Sequence, residues 1–207
     1  LSSGQVDAKT DGNVHLPSVA TNALSVGLID AGAFDVTLIG DSGVADTGSD
    51  AATDVIAGTL KIENVSAGSA GTITLDTAVA TLNLNGGAVT IHDGDSVDIS
   101  SITATSLDLL TDGAITDSGA VSVNDLAKFN STGKAITLGD GTTANFGTLD
   151  FAGSAVTITE SSDMMIAESE ATGALALASS NNKIEQSGRI DAISTSSFNS
   201  GANVITL

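Results

Sequence analysis

The chain has 207 residues with 25 acidic and six basic side chains, a formal net charge of −19, no cysteine, and 41 % hydrophobic but only 2 % aromatic residues. That charge excludes binding to nucleic-acid phosphates or to an anionic lipid surface, both of which need clustered Lys and Arg, and no apolar run approaches the roughly 20 residues that cross a bilayer. Without Trp or Tyr, any core is thin layers of Val, Ile, Leu and Ala, which suits a narrow coil better than a broad globule.

The chain opens at Leu1 without Met or a charged-then-apolar signal and reads as a segment of something longer. Its one proline is Pro17. Strand signals then follow in order: 57 to 63 (AGTLKIE), 72 to 75 (TITL), 88 to 91 (AVTI), 135 to 138 (AITL), 155 to 158 (AVTI) and 203 to 207 (NVITL). Each is too short for a helix and places apolar residues at every second position. Gly-Asp, Asp-Gly, Asn-Gly and Ser-Gly dipeptides separate them at intervals of about six to nine residues, so the joints are tight turns.

The sequence also repeats itself. Residues 115 to 138 lie without a gap on residues 184 to 207, with nine identities at a spacing of 69. Residues 82 to 99 lie on residues 149 to 166, sharing Leu, Gly, Ala-Val-Thr-Ile and a final Ile, and residues 28 to 38 are a looser third copy. Three units of about 70 residues then cover one continuous solenoid, residues 1–207, with no internal boundary.

Short strands, tight turns and long repeats together predict an all-β fold, a right-handed parallel β-helix with about three strands per coil. At roughly 23 residues per coil each unit makes three coils, and eight or nine coils stacked about 4.8 Å apart make a rod about 40 Å long. A β-sandwich is the rival architecture, but it does not generate gapless internal alignment. On this reading Phe129 and Phe198 take equivalent interior sites, with Asn130 and Asn199 at the bend that follows in a left-handed backbone. Gly86 and Gly153 are expected to take positive φ at corners. Replacing Phe198 or Ile205 by Asp is expected to destroy the rod.

The run from Ala135 to Gly147 (AITLGDGTTANFG), with Ala155-Val-Thr-Ile158 and Ile184-Glu-Gln-Ser-Gly188, resembles repeats of filamentous-haemagglutinin-like giant bacterial surface proteins. The resemblance covers most of the chain from about residue 28. It implies a right-handed parallel β-helix that forms the shaft of a long secreted fibre, exported through an outer-membrane partner. This segment carries neither an amino-terminal secretion domain nor an Arg-Gly-Asp sequence.

Residues with the chemistry of a site are few. Glycoside hydrolysis needs two carboxyl groups about 5 to 10 Å apart, but in so acidic a coil pairs such as Asp93 with Asp95, or Glu160 with Asp163, arise by chance and read as solvated bend residues. Uronate chemistry needs basic groups, and only Arg189 and five lysines are present. His15 and His92 have no partner at metal-ligand spacing. Calcium is the one ligand with a physical argument: Asp93, Asp95 and Asp98 in HDGDSVD, and the segments 38 to 43 and 46 to 50, set carboxylates beside turn carbonyls. Thr-x-Thr occurs at 72 to 74, 103 to 105 and 157 to 159. It does not recur once per coil, so no continuous threonine row is expected.

The sequence thus reads as a non-catalytic structural protein: a rigid shaft or subunit of a secreted bacterial filament or adhesin at the cell surface. Its partner is a further copy of itself, stacked end to end or laterally, and any surface or glycan contact is made through other modules. An ice-binding β-helix and a polysaccharide-binding or polysaccharide-degrading one are the alternatives.

Overall fold

The computed structural model describes residues 5–17, 23–48, 51–64, 71–131, 133–180 and 182–207. Within them the chain is strand, bend and turn, with no helix. Every strand pairs in parallel with a strand about one coil away, so the whole is a β-solenoid of about nine turns.

One outward-facing column shows the winding. Asp35 pairs with Thr59, Thr59 with Thr81 and Thr81 with Asp98, and the register continues through Thr116, Thr137, Thr157 and Ala176 to Ser197. Successive members are 17 to 24 residues apart, about 20 on average. The coil is therefore shorter than the 23 residues expected. Corners cost few residues because some strands run straight through them: Val121–Asn130 and Ala144–Gly153 each pass from one side of the rod to the next as a single strand.

We call the side bearing this column the first face. The second face carries inward Val44, Ile73, Val89, Leu107, Ala127 and Leu149 in register. A third side, which follows the first in the chain, carries Ile102, Val121 and Ala144, and in the C-terminal coils Met164, Ile184 and Ile205. Side chains alternate between the interior and solvent, as strand geometry requires, most clearly over Thr72–Asn85. The interior is a stack of fully covered Val, Ile and Leu, widened in the middle by Phe129, Phe146 and Phe151. Phe129 meets Phe146 edge to face, with ring centres 5.5 Å apart.

The repeat and the coil do not share a period. Three coils carry Asn130 through Ala152 and Glu170 to Asp191, a span of 61 residues. The sequence repeat instead carries Asn130 to Asn199, which lies on the first face opposite Ala178. One repeat is thus three coils plus one side. The shift is the same elsewhere: Val89 and Ile91 lie on the second face, while their counterparts Val156 and Ile158 lie on the first. Ile115 lies on the first face and Ile184 on the third side.

Several expectations change accordingly. Phe129 and Phe198 are not equivalent sites: Phe129 is fully buried on the second face, and Phe198 is half-buried on the first in the last coil. The local turn survives the change of face. Ser131 and Ser200 are both buried and donate a hydroxyl hydrogen bond to the carbonyl three residues on, Lys134 and Asn203 respectively. The left-handed residues of these turns are Gly133 (φ 75°) and Gly201 (φ 62°), whereas Asn130 and Asn199 end their strands. Gly86 and Gly153 lack positive φ and are needed for space: an added Cβ would lie 2.7 Å from Ile73 Cδ1 and 3.0 Å from Ser131 Oγ respectively.

Candidate functional site: buried and clustered carboxylates

Of the calcium candidates, Asp93 is fully buried, while Asp95 is exposed and Asp98 faces outward from the first face. Asp93 Oδ2 accepts hydrogen bonds from Thr77 Oγ1 (2.7 Å) and the Val79 amide (3.0 Å), and its Oδ1 accepts from the Asp95 amide (2.9 Å). Asp98 accepts from the Thr116 and Ser118 hydroxyls. Alternation explains the split: Asp93 is in phase with the inward Val89 and Ile91 of Ala88–Asp93, whereas Asp98 falls between the inward Val97 and Ile99 of Val97–Ala104. The three are not gathered into one cluster.

The acids that do converge are Asp46, Asp54 and Asp76, with oxygens all within 4.8 Å of one another, the one such group found among the described residues. Asp54 is 4 % exposed; its Oδ2 accepts from the Asp76 amide at 2.8 Å, and its own amide donates to the Asp76 carbonyl at 2.7 Å. Asp76 Oδ1 lies 3.0 Å from His92 Nδ1, and Asp46 Oδ1 accepts from the Gly48 amide at 2.6 Å. Burial above all, then the neighbouring Asp46 and Asp76, pushes the Asp54 carboxyl up to about 7. Carboxylate oxygens are the donors a hard cation takes, and the cluster offers three where calcium takes about six to eight. Asp46 lies in one of the acidic segments singled out from sequence; Asp54 follows it in the same coil, and Asp76 comes from the next coil, 22 residues after Asp54, brought to the other two by the winding.

Glu160 is the second fully buried acid. Its Oε1 accepts from the Phe146 amide (2.8 Å) and Ser162 Oγ (2.7 Å), while Oε2 is buried without a hydrogen-bond partner. Burial pushes this carboxyl up to about 7 against those two hydrogen bonds. Asp163, paired with it in sequence, is exposed and accepts from the Lys183 amide at 3.3 Å. Neither Asp93 nor Glu160 is the solvated bend residue expected of it. Each occupies an inward position at the end of a strand, which apolar–polar alternation would have revealed had the acid been counted as an interior residue.

Outside, acids are spaced by other groups. On the second face Lys128 stands in register between Asp108 and Asp150, which offsets the repulsion that like charges about 4.8 Å apart would suffer.

Fold and repeat together define a repeat-built parallel β-solenoid. The chain belongs to the family described as repeats of unknown function (DUF5649), which matches residues 86–152 and again 153–207, more than half of its length. The two matches open on Gly86 and Gly153, at the spacing of the internal alignment. No curated protein and no solved structure matches the chain.

Proposed function

We propose that this chain is a length of rigid, non-catalytic shaft in a secreted bacterial surface filament or adhesin, whose contacts along and between shafts are made with further copies of the same solenoid. The observation that carries this reading is the unbroken parallel register from Asp35 to Ser197 over an interior of stacked aliphatic side chains. Such a rod resists bending because each coil is bonded to both neighbours along all its sides. The net charge of −19 keeps its flanks soluble, and the cluster of Asp46, Asp54 and Asp76 is where calcium would bear on it. Electron microscopy of the chain with calcium and with a chelator tests the proposal. Straight rods are expected in both, assembling in calcium into filaments with an axial period near 40 Å, about nine coil spacings. Flexible or globular particles under both conditions would overturn it.

One observation favours a second reading, an ice-ordering surface. Contrary to expectation, threonines from separate segments fall into one outward row on the first face: Thr59 and Thr81, then Asp98, then Thr116, Thr137 and Thr157. Ser118 and Thr159 stand beside the row. Only the last of the three Thr-x-Thr tripeptides contributes to it, so the tripeptide was the wrong signal and the coil register the right one. If the row orders water, the chain gives thermal hysteresis that Thr137→Lys abolishes while leaving its circular dichroism unchanged. Freezing at the equilibrium melting point would dismiss this reading.

A further inference from the structure

Asp93 and Glu160 stand 67 residues apart, each seven residues after the glycine that opens its family repeat. Each closes a strand, Ala88–Asp93 on the second face and Val156–Glu160 on the first, and each turns its carboxyl group into the rod at a corner where it is fully covered. The repeat has moved round by one side, yet an acid occupies the corner both times. Both reach back to the preceding coil: Asp93 to the Thr77 hydroxyl and Val79 amide, and Glu160 to the Phe146 amide. Glu160 is also tied forward, through its carbonyl, to the Ser180 amide at 2.8 Å. The next member of its column, Ser179, donates to the Ser162 carbonyl at 2.6 Å.

An apolar or hydroxyl side chain would close such a corner, as Thr111 does one coil beyond Asp93 and Ser179 does one coil beyond Glu160. A carboxyl there is costly once ionised, and most of all at Glu160, where one oxygen is buried without a partner. We propose that this corner is a proton-sensitive joint built into the repeat, closed firmly while its carboxyl is protonated and loosened when it ionises.

The charges around it reinforce that sense. Asp163 acts on Glu160 and Asp95 acts on Asp93, both of like sign. The strands packed on either side of Val156–Glu160, namely Ile136–Leu138 and Leu175–Ser179, carry no charged residue. The third neighbour, Ala144–Gly153, carries only Asp150, which stands beside Lys128 on the second face. Around Asp93, the neighbouring strands bring Asp76, beside His92, and Asp108, beside Lys128. Among the described residues no basic group pairs with Glu160, and the nearby Lys183 is taken by Asp163 and Glu185.

Burial raises both carboxyl groups in the folded chain, Glu160 from an ordinary 4.5 to about 7. A group held above its unfolded value gives its stabilisation fully below that value and loses it as pH rises through the folded one. The joint is therefore firm near pH 4.5, weakens towards pH 7 and stays weak above it. For Glu160 the unfolding equilibrium constant of the adjoining coils rises on the order of a hundredfold across that window.

The test uses the full chain. Urea unfolding of wild type, Glu160→Gln and the control Asp163→Asn is followed at pH 5 and pH 8, and the glutamate carboxyl carbons are titrated by 13C NMR in the wild type. Wild type and Asp163→Asn are expected to lose stability between the two pH values. Glu160→Gln keeps the Oε1 acceptor and should lose the Glu160 share of that difference, on the order of a hundredfold in the unfolding constant, while the shares of Asp54 and Asp93 remain, and it should be the more stable protein at pH 8. One glutamate carboxyl should titrate near neutrality. An equal pH difference in wild type and Glu160→Gln, or all glutamates titrating in the ordinary range, would overturn the proposal. The NMR titration decides the matter even if the variant fails to fold.

Discussion

Phe129→Asp is expected to abolish cooperative folding of the central coils. Phe129 is fully buried, stands in register between Leu109 and Phe151, and meets Phe146 edge to face. Truncating such a ring alone costs about 3 to 5 kcal/mol, and an unpaired carboxylate in its place adds several more. Together these are comparable with the whole stability of a typical domain, about 5 to 15 kcal/mol. Circular dichroism should show loss of the strand signal at 25 °C. Ile205→Asp is the informative contrast, because Ile205 is 41 % exposed in the last coil, and that variant should keep most of its structure. Equal loss in both would contradict the burial pattern. The contrast also replaces the expectation, drawn from sequence, that Phe198 and Ile205 are the critical positions.

Gly139→Val should be the most damaging of the glycine substitutions at turns. Gly139 has φ of 74°, and a Cβ there would lie 1.8 Å from the Thr159 carbonyl oxygen of the next coil. Its amide also donates to both oxygens of Asp117, at 3.0 and 3.1 Å, and Thr142 Oγ1 bonds the same carboxylate. A β-branched residue pays the left-handed penalty of about 1 to 2 kcal/mol and must also push two backbone segments of adjacent coils apart, a combined loss of roughly 3 kcal/mol or more. Gly141 has φ of 80° with nothing within 4 Å of an added Cβ. Gly141→Ala should therefore cost only the backbone term, about 1 kcal/mol. Denaturant midpoints of the two variants measure the difference, and similar midpoints would show that the coil spacing at Gly139 is not the constraint.

The buried acids bear on how such a rod tolerates its composition. Asp54 and Glu160 are both raised to about 7 by burial, so both favour the folded rod in mild acid and withdraw that support as pH rises through neutrality. On the surface the trend is the opposite in kind: Lys128 between Asp108 and Asp150, and the hydroxyls of Thr116 and Ser118 on Asp98, accommodate charge without removing it from water.

Much of this architecture was legible along the chain. Alternation in Thr72–Asn85 and in the Val-Thr-Ile segments gave strands and their inward sides, and repeated turn dipeptides excluded crossover helices. The gapless alignments gave a solenoid because each unit can bury its apolar face only against its neighbours. The site was less legible. Asp46 was noticed, but Asp54 meets it past an intervening bend and Asp76 joins from the next coil, and Asp93 and Glu160 were read as solvated because acids usually are.

The sequence by itself determined that this chain is a parallel β-solenoid with a thin aliphatic interior and an acidic exterior, since period-two patterning and self-similarity are local properties of the string. Only the tertiary structure decided the phase of the winding. Coil length depends on how many residues each corner consumes, and that is set by contacts between coils, such as the close approach at Gly139 and the strands that run through a corner at Val121–Asn130 and Ala144–Gly153. A coil of about 20 residues against a repeat of 67 to 69 turns each copy by one side. That mismatch puts Phe129 and Phe198 on different faces, lines scattered threonines into one row, and carries a buried acid round the rod from corner to corner.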